Sequence, residues 1–133
     1  MEKKELIQFL DEIFKPFSFK KKGNKWRTEN YYLEKLIILQ KSKHSNSFYL
    51  NYGYVIKELE LQNLEMHIFN QLSSIKDTDN KRIMDFLDLE NNISNEERKK
   101  GLKKYIESEM LNKLKNTNTK NDLLEELKNR PNV

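Results

Sequence analysis

Two histidines, His44 and His67, are the only imidazole groups that could serve in catalysis. His44 lies in the polar run 42–47, which is rich in serine and asparagine, and a serine nucleophile needs a base beside it and an orienting carboxylate. Because serines are expected near His44 by chance in such a run, we interpret the run as a turn and not as a catalytic site. His67 alternates with Phe69 in a predicted strand and is interpreted as a half-buried or surface side chain.

Carboxylates are equally poorly placed for metal-dependent chemistry. A helix followed by strands invites comparison with nucleases whose strand-borne acids hold Mg²⁺, with a lysine two residues after one acid. The acid-x-lysine occurrences all lie outside the predicted strands, and Glu29 and Glu34 are the only acids of the strand block before Glu58. The chain has no cysteine and 3 glycines, which excludes thiolate metal sites and both the dinucleotide-binding and P-loop motifs. We therefore expect no cofactor, no metal and no enzymatic activity.

Gln40, Ser42 and Asn51 are polar residues inside strands that are otherwise apolar. A buried hydrogen-bonding group costs stability unless it is paired. These side chains could line a pocket on the sheet, or they could satisfy each other or a bulged backbone, which we favour. Gly53, between two tyrosines, indicates a bulge or the close approach of another group. An enzyme site near Ser42, His44 and Asn51 is the alternative.

Basic residues are concentrated in the front half of the chain. Residues 1–57 carry 12 Lys and Arg against 6 Asp and Glu (+6), whereas residues 58–133 carry 13 against 15 (−2), which together recover the net charge of +4. Pairing of the first strands would cluster Lys20, Lys21, Lys22, Lys25, Arg27, Lys41 and Lys43 near Trp26, Tyr31 and Tyr49. Cations and rings together are what single-stranded nucleic-acid binding requires. A solvated rim on a lysine-rich surface is the interpretation we favour.

Hydrophobic spacing predicts an N-terminal helix followed by a block of strands. Apolar residues three and four apart predict a helix over 2–14, and Pro16 cannot continue it. The strand block spans 24–75, and its first three strands are expected to form an antiparallel meander. The expected strands, with the fourth following a loop, cover residues 25–29, 32–42, 48–56 and 65–75.

The strand from 48 to 56 has the cleanest period of two in the chain. The residues expected to lie against helices are Phe48, Leu50, Tyr52, Tyr54 and Ile56. The opposite side carries Tyr49, Asn51, Gly53 and Val55. That side would then be free to contact a partner.

The helical block spans 79–129, with capping signals at Ser94 and Thr119. The expected fold is one α+β domain over residues 1–133, with an N-terminal helix, an antiparallel sheet of three to four strands, and three C-terminal helices on one face of the sheet. A length of 133 residues suits one core. The longest apolar run, Leu36–Leu39, is too short to cross a bilayer, and the N-terminus lacks a secretory signal. We expect a soluble, cytoplasmic protein with no membrane association.

Three short elements of the strand block carry a family resemblance. They are Phe-Lys-Lys-Lys-Gly-Asn-Lys-Trp at 19–26, Leu-Gln-Lys-Ser-Lys at 39–43 and Asn-Tyr-Gly-Tyr at 51–54. In combination they resemble the bacterial family known as domain of unknown function 4304, best over the helix and meander and only in general pattern after about residue 75. The resemblance implies a small bacterial α+β protein and no catalytic residues. Some uncharacterised families of this size include immunity proteins of toxin systems.

These observations favour a non-enzymatic binding domain. The expected role is immunity-like or other recognition of a protein partner, through the exposed sheet face and the basic strand ends. Because the front half is basic, that partner should present an acidic patch. The candidate binding residues are Gln40, Lys41, Ser42, Lys43, Tyr49, Asn51, Lys20, Lys22 and Trp26. The alternative is single-stranded nucleic-acid binding through the basic and aromatic N-terminal half.

Overall fold

The computed structural model describes residues 1–128 as a helix, a five-stranded sheet and a C-terminal set of helices. Helix α1 spans Lys3–Phe14 and is followed by a 3₁₀ turn over Lys15–Phe17. The strands are β1 (Lys20–Lys22), β2 (Lys25–Glu29), β3 (Leu33–Lys41), β4 (Phe48–Ile56) and β5 (Ile68–Gln71). The later helices are α2 (Asp77–Leu87), α3 (Asn95–Tyr105), α4 (Asn112–Asn116) and α5 (Lys120–Lys128), with a π-helical stretch over Ile106–Leu111. This order confirms the expected α+β class, while residue 129 of the predicted helical block lies outside the described residues.

Helix α1 packs directly on β2. Its buried stripe includes Leu6, Leu10 and Phe14, at the spacing that predicted the helix. The ring of Phe14 meets the edge of the Trp26 ring, with 5.2 Å between ring centroids. Trp26 also donates a hydrogen bond from Nε1 to Oδ1 of Asp11 at 3.1 Å. These contacts fix the orientation of α1 across the first strands.

The sheet is an antiparallel meander in the order β1-β2-β3-β4-β5. The predicted meander is confirmed, and the sheet has 5 strands where three to four were expected. Strand β1 was missed because its residues, Lys20–Lys22, show neither alternation nor an apolar side chain. It forms because Gly23 adopts the left-handed φ of +65° that a tight turn into β2 requires.

The helices cover one face of the sheet, as expected. Trp26, Ile37, Leu50 and Tyr54 are fully buried on that face. They share a single core with side chains of the flanking helices, including Leu6, Phe14, Leu102, Ile106 and Met110. The residues of β4 that were predicted to face the helices are therefore placed as the alternation indicated.

The predicted helix starts at Ser94 and Thr119 are both confirmed. Oγ of Ser94 accepts a hydrogen bond from the amide of Glu97 at 3.1 Å. Oγ1 of Thr119 accepts from the amide of Asp122 at 3.1 Å, and Oδ2 of Asp122 accepts from the amide of Thr119 at 3.1 Å. A hydrogen bond from the amide of Asn118 is the main reason that the pKa of Asp122 lies below its ordinary value.

Two buried cationic side chains, Arg98 and Lys35, form hydrogen bonds with segments that flank the C-terminal helices. The guanidinium of Arg98 donates to the carbonyls of Asp88 and Asn91, each at 3.0 Å, and so holds the chain between α2 and α3. Lys35 lies on the helix-covered face of β3, where its Nζ donates to Oδ1 of Asn118 at 2.8 Å. Burial lowers the pKa of Lys35 and of Arg98. Both charged groups donate to carbonyl oxygens, while Nε of Arg98 is buried and has no hydrogen-bond partner among residues 1–128.

Candidate functional site

The sheet surface opposite the helices contains the candidate site, because only part of it is covered. One register row on this surface crosses all 5 strands and consists of Lys22, Lys25, Ile38, Asn51 and Gln71. Alternate residues of a strand point to opposite faces, so this row faces away from the buried Trp26 and Ile37. The covered part and the open part of this surface lie toward opposite ends of these strands.

One end of the surface is covered by the loop 57–67, which joins β4 to β5. Met66 and Leu61 of this loop pack on Leu36 and Val55 of the sheet and form a small second core. The polar side of β4 is thus only partly free, which corrects the expectation of an open face along the whole strand.

Because Gly53 has no side chain, β5 and the end of the loop 57–67 can pack directly against β4 at this position. A Cβ atom at this position would overlap the carbonyl oxygen of Ile68 and lie 2.5 Å from Sδ of Met66. The predicted close approach of another group at Gly53 is confirmed.

The other end of the surface is an open groove of about 380 Å³. The residues lining this groove are Asn24, Lys25, Ile38, Gln40, Lys41, Asn51, Glu65, Met66 and Phe69. The ring of Phe69 is 54% exposed, and Tyr49, which pairs with Gln40 in the register of β3 and β4, is 37% exposed. The groove therefore combines the accessible ring of Phe69 with amide and charged groups, and Tyr49 lies beside it, opposite Gln40.

Gln40 and Asn51 form a hydrogen-bonded pair in the groove. Nδ2 of Asn51 donates to Oε1 of Gln40 at 2.8 Å, across the β3–β4 ladder. Asn51 is buried while Gln40 is exposed, so the pair reaches from the sheet to solvent. The interpretation that Gln40, Ser42 and Asn51 satisfy each other therefore holds for Gln40 and Asn51 and is wrong for Ser42. Gln40 and Asn51 also line a pocket, which was the other possibility.

Four cations flank the groove on β1 and β2. The register places Lys20 opposite Arg27 and Lys22 opposite Lys25, so like charges face each other across the hairpin. Nζ of Lys25 contacts Oε2 of Glu65 at 3.0 Å. Arg27 pairs with Glu34 at 3.7 Å. Among residues 1–128, neither Lys20 nor Lys22 forms an ion pair.

A family model for a domain of unknown function, DUF4304, matches residues 10–124. The chain belongs to the DUF4304 family. The match runs past the strand block, where the resemblance was most specific, and continues into α5. All residues that line the groove lie within the matched part. No curated protein and no solved structure matches the chain.

Trp26 cannot be a stacking surface in this DUF4304 chain. Its side chain is 0% exposed and lies on the helix-covered face. The prediction placed it among the binding residues because it lies between Lys25 and Arg27 in sequence, but alternation along β2 sends it to the opposite side of the sheet. Tyr31, also expected near the cations, is 86% exposed and lines a separate cavity with Lys57.

The structure brings together some of the predicted site residues and separates others. Gln40, Lys41 and Asn51 line the groove, and Lys20 and Lys22 lie on the hairpin beside it. Ser42 and Lys43 follow the end of β3 and do not line the groove, and the amide of Ser42 donates to the carbonyl of Ser47 at 2.8 Å. Oγ of Ser42 accepts from the amide of His44 at 3.5 Å, while Asn51 bonds Gln40.

Phe69 and Glu65 are groove residues that the sequence interpretation did not propose for binding. Phe69 lies in the predicted fourth strand, which corresponds to β5, and its alternation with Ile68 could have put it on the second sheet face. The predicted bounds of 65–75 are wrong, because residues 65–67 belong to the loop that covers the sheet and the strand ends at Gln71. Glu65 gave no local signal, because its partner Lys25 is 40 residues away in the sequence. Only the crossing of the loop brings the two side chains together.

Metal-binding groups do not gather anywhere in residues 1–128. No three His, Cys, Asp or Glu side chains in this part of the chain come close enough to hold a metal ion. The same residues contain no helix with the length and apolar character that a membrane span needs.

His67 fastens the loop that covers the sheet. Its Nδ1 accepts a hydrogen bond from the amide of Ile56 at 2.9 Å. Its Nε2 lies 2.9 Å from the carbonyl oxygen of Glu60, so we assign the ring hydrogen to Nε2. One imidazole thus connects the beginning and the middle of the loop, which positions the covered end of the surface.

We expect His67→Ala to loosen the loop 57–67 without unfolding the protein. Loss of two hydrogen bonds, each contributing about 0.5 kcal/mol on balance, should cost about 1 kcal/mol and so raise the population of the open loop about five-fold. Digestion by a glutamyl endoprotease should then cut after Glu58 and Glu60 about five-fold faster. His44→Ala is the matched control because His44 is exposed and outside the loop. Equal cleavage rates for the two variants would contradict the role given to His67.

Proposed function

We propose that this DUF4304 chain is a non-enzymatic binding domain that recognises a protein partner through the open groove and the cations beside it. The observation that carries the proposal is the uncovered end of the sheet, where Phe69 and Tyr49 are accessible next to the Asn51–Gln40 pair. Accessible aromatic rings surrounded by polar groups are typical of protein-binding surfaces. An immunity-like role, neutralising a toxin protein, is one form that this recognition would take.

The charge beside the groove supports a partner with an acidic surface. Lys20, Lys22, Lys25 and Arg27 all lie on the same side of the sheet as the groove. Complementary charge speeds association and disfavours partners of the same sign. A partner that is itself strongly basic would be repelled by this hairpin.

Capture from lysate of the source organism tests the proposal. Immobilised wild-type protein should retain a partner protein. The amount retained should fall about ten-fold with Phe69→Ala and with Lys22→Glu, because central aromatic residues and interface charges dominate such contacts. Met84→Ala on α2 and Lys103→Glu on α3 are the matched controls, since both residues are exposed on helices away from the sheet face. Quantitative mass spectrometry of the retained proteins measures the loss.

The proposal fails if no protein is retained selectively by the wild type. It fails equally if the groove variants and the helix variants retain the same proteins in the same amounts. A protein retained by all the variants would indicate non-specific adsorption, which net positive charge promotes.

Single-stranded nucleic-acid binding is the second candidate function. It is supported by a surface cavity of about 580 Å³ lined by Lys20, Lys21, Lys22, Asn24, Lys25 and Arg27. Burial of Trp26 weakens it, because the ring that was expected among these cations is inside the core. Stacking on rings is the part of single-strand recognition that cations alone do not supply.

A further inference from the structure

We propose that the groove binds an extended acidic segment of the partner protein, and that Glu65 of the protein's own loop competes with that segment for Lys25. This inference rests on the proposed protein-binding function and names the chemistry of the partner at that site. It also makes the loop 57–67 a regulator of access to the cations.

The β1–β2 hairpin holds two pairs of like charges directly opposite each other, Lys20 with Arg27 and Lys22 with Lys25. Like charges at facing positions of neighbouring strands destabilise the pairing. A carboxylate placed between such residues offsets that repulsion. The hairpin is therefore built to be more stable when acidic groups bind its surface.

Carboxylates from the chain itself already occupy part of this surface. Glu65 contacts Lys25 at 3.0 Å, and Glu34 reaches Arg27 at the longer distance of 3.7 Å. Lys20 and Lys22 form no ion pair with any residue of 1–128. The site is thus partly filled from within, and its remaining cations point to further carboxylates from outside.

Glu65 can be displaced because its ion pair is exposed. The side chain of Glu65 is 63% exposed and that of Lys25 is 49% exposed. Exposed pairs of this kind contribute little to stability because water and salt screen them. Several carboxylates on one partner segment would compete effectively with this single internal one.

The arrangement favours an acidic peptide over a nucleic-acid strand. Lys20, Lys22, Lys25 and Arg27 lie on β1 and β2, whereas the exposed rings of Tyr49 and Phe69 lie on β4 and β5. Among residues 1–128, Lys41, at the end of β3, is the one further cation that lines the groove. A single strand of nucleic acid needs rings and cations side by side along its backbone. Between the two ends lies the Asn51–Gln40 pair, whose amide chemistry suits the backbone of a peptide.

Binding of a fluorescent poly-glutamate peptide of about ten residues tests the inference, followed by anisotropy at low salt. Glu65→Gln should bind the peptide about three-fold more tightly than the wild type, because the internal competitor is gone. Glu125→Gln is the matched control: it removes the same charge from another exposed ion pair, formed with Lys128 at 3.4 Å. Lys22→Glu should weaken binding about ten-fold, since it reverses a charge at the site.

Equal affinities for Glu65→Gln and Glu125→Gln would overturn the inference, because the gain would then reflect net charge alone. An oligothymidine that binds more tightly than poly-glutamate, and that gains from Glu65→Gln, would overturn it in favour of a nucleic-acid ligand. Absence of poly-glutamate binding would overturn it as well. Lysate capture separates failure of this inference from failure of the proposed function. If capture still depends on Phe69, the protein recognises a partner that is not an acidic segment. If capture does not depend on Phe69, the proposed function itself fails.

Discussion

Trp26→Ala should lower the free energy of unfolding by about 4 kcal/mol, the effect expected for truncating a large buried aromatic side chain. The indole is fully buried, contacts the ring of Phe14 and donates a hydrogen bond to Asp11. Its removal leaves a cavity between α1 and β2 and an acceptor without its donor. Urea unfolding followed by far-ultraviolet circular dichroism measures the change.

Two further variants separate the contributions at this site. Trp26→Phe keeps an aromatic ring in the core but loses the bond to Asp11, so we expect a smaller loss of about 2 kcal/mol. Tyr31→Ala removes a ring that is 86% exposed and should change the free energy of unfolding by less than about 0.5 kcal/mol. Similar stability for Trp26→Ala and Tyr31→Ala would show that Trp26 is not a core residue, and it would return Trp26 to the candidate binding surface.

Gly53→Ala should lower the free energy of unfolding by about 3 kcal/mol, at the upper end of the usual cost of overpacking. The added Cβ would overlap the carbonyl oxygen of Ile68 and press on Sδ of Met66. Because backbone cannot move aside as a flexible side chain does, β5 and the loop 57–67 must shift away from the sheet. The substitution should therefore also expose the loop to glutamyl endoprotease.

Gly23→Ala provides the matched glycine control. A Cβ at Gly23 meets no atom within 4 Å, so only its positive φ resists substitution. That strain should cost about 1 kcal/mol, and the loop should stay protected from the protease. Contradiction would come from a Gly53→Ala variant that is as stable as Gly23→Ala and no more easily cleaved.

The covered end of the sheet sets the size of the candidate site. Met66 and Leu61 pack on Leu36 and Val55, so those positions are closed to a partner and the end that carries Gln40 and Asn51 is open. The loop that provides this cover also carries Glu65 into the groove. Shape and charge of the groove therefore depend on the same crossing segment.

Several features of the protein follow from patterns within short stretches of sequence. Apolar spacing and Pro16 predict α1, alternation predicts β4, and the Ser94 and Thr119 signals predict helix starts. The general requirement that polar groups in buried strands be paired predicted hydrogen-bonded partners for Gln40 and Asn51, and the structure shows that they pair with each other. These features depend on residues close in sequence or on a general requirement for hydrogen bonding.

Contacts between distant residues decided the rest. Strand β1 carries no pattern of its own, and the side of β2 on which Trp26 lies depends on the position of α1. Lys35 is buried where its Nζ bonds Asn118, which lies 83 residues away in the sequence. Glu65 enters the groove through its contact with Lys25, which lies 40 residues away. Composition and periodicity determine which segments become helices and strands because those preferences are local. Which sheet surface stays open is decided by packing between segments, and no local pattern encodes that choice.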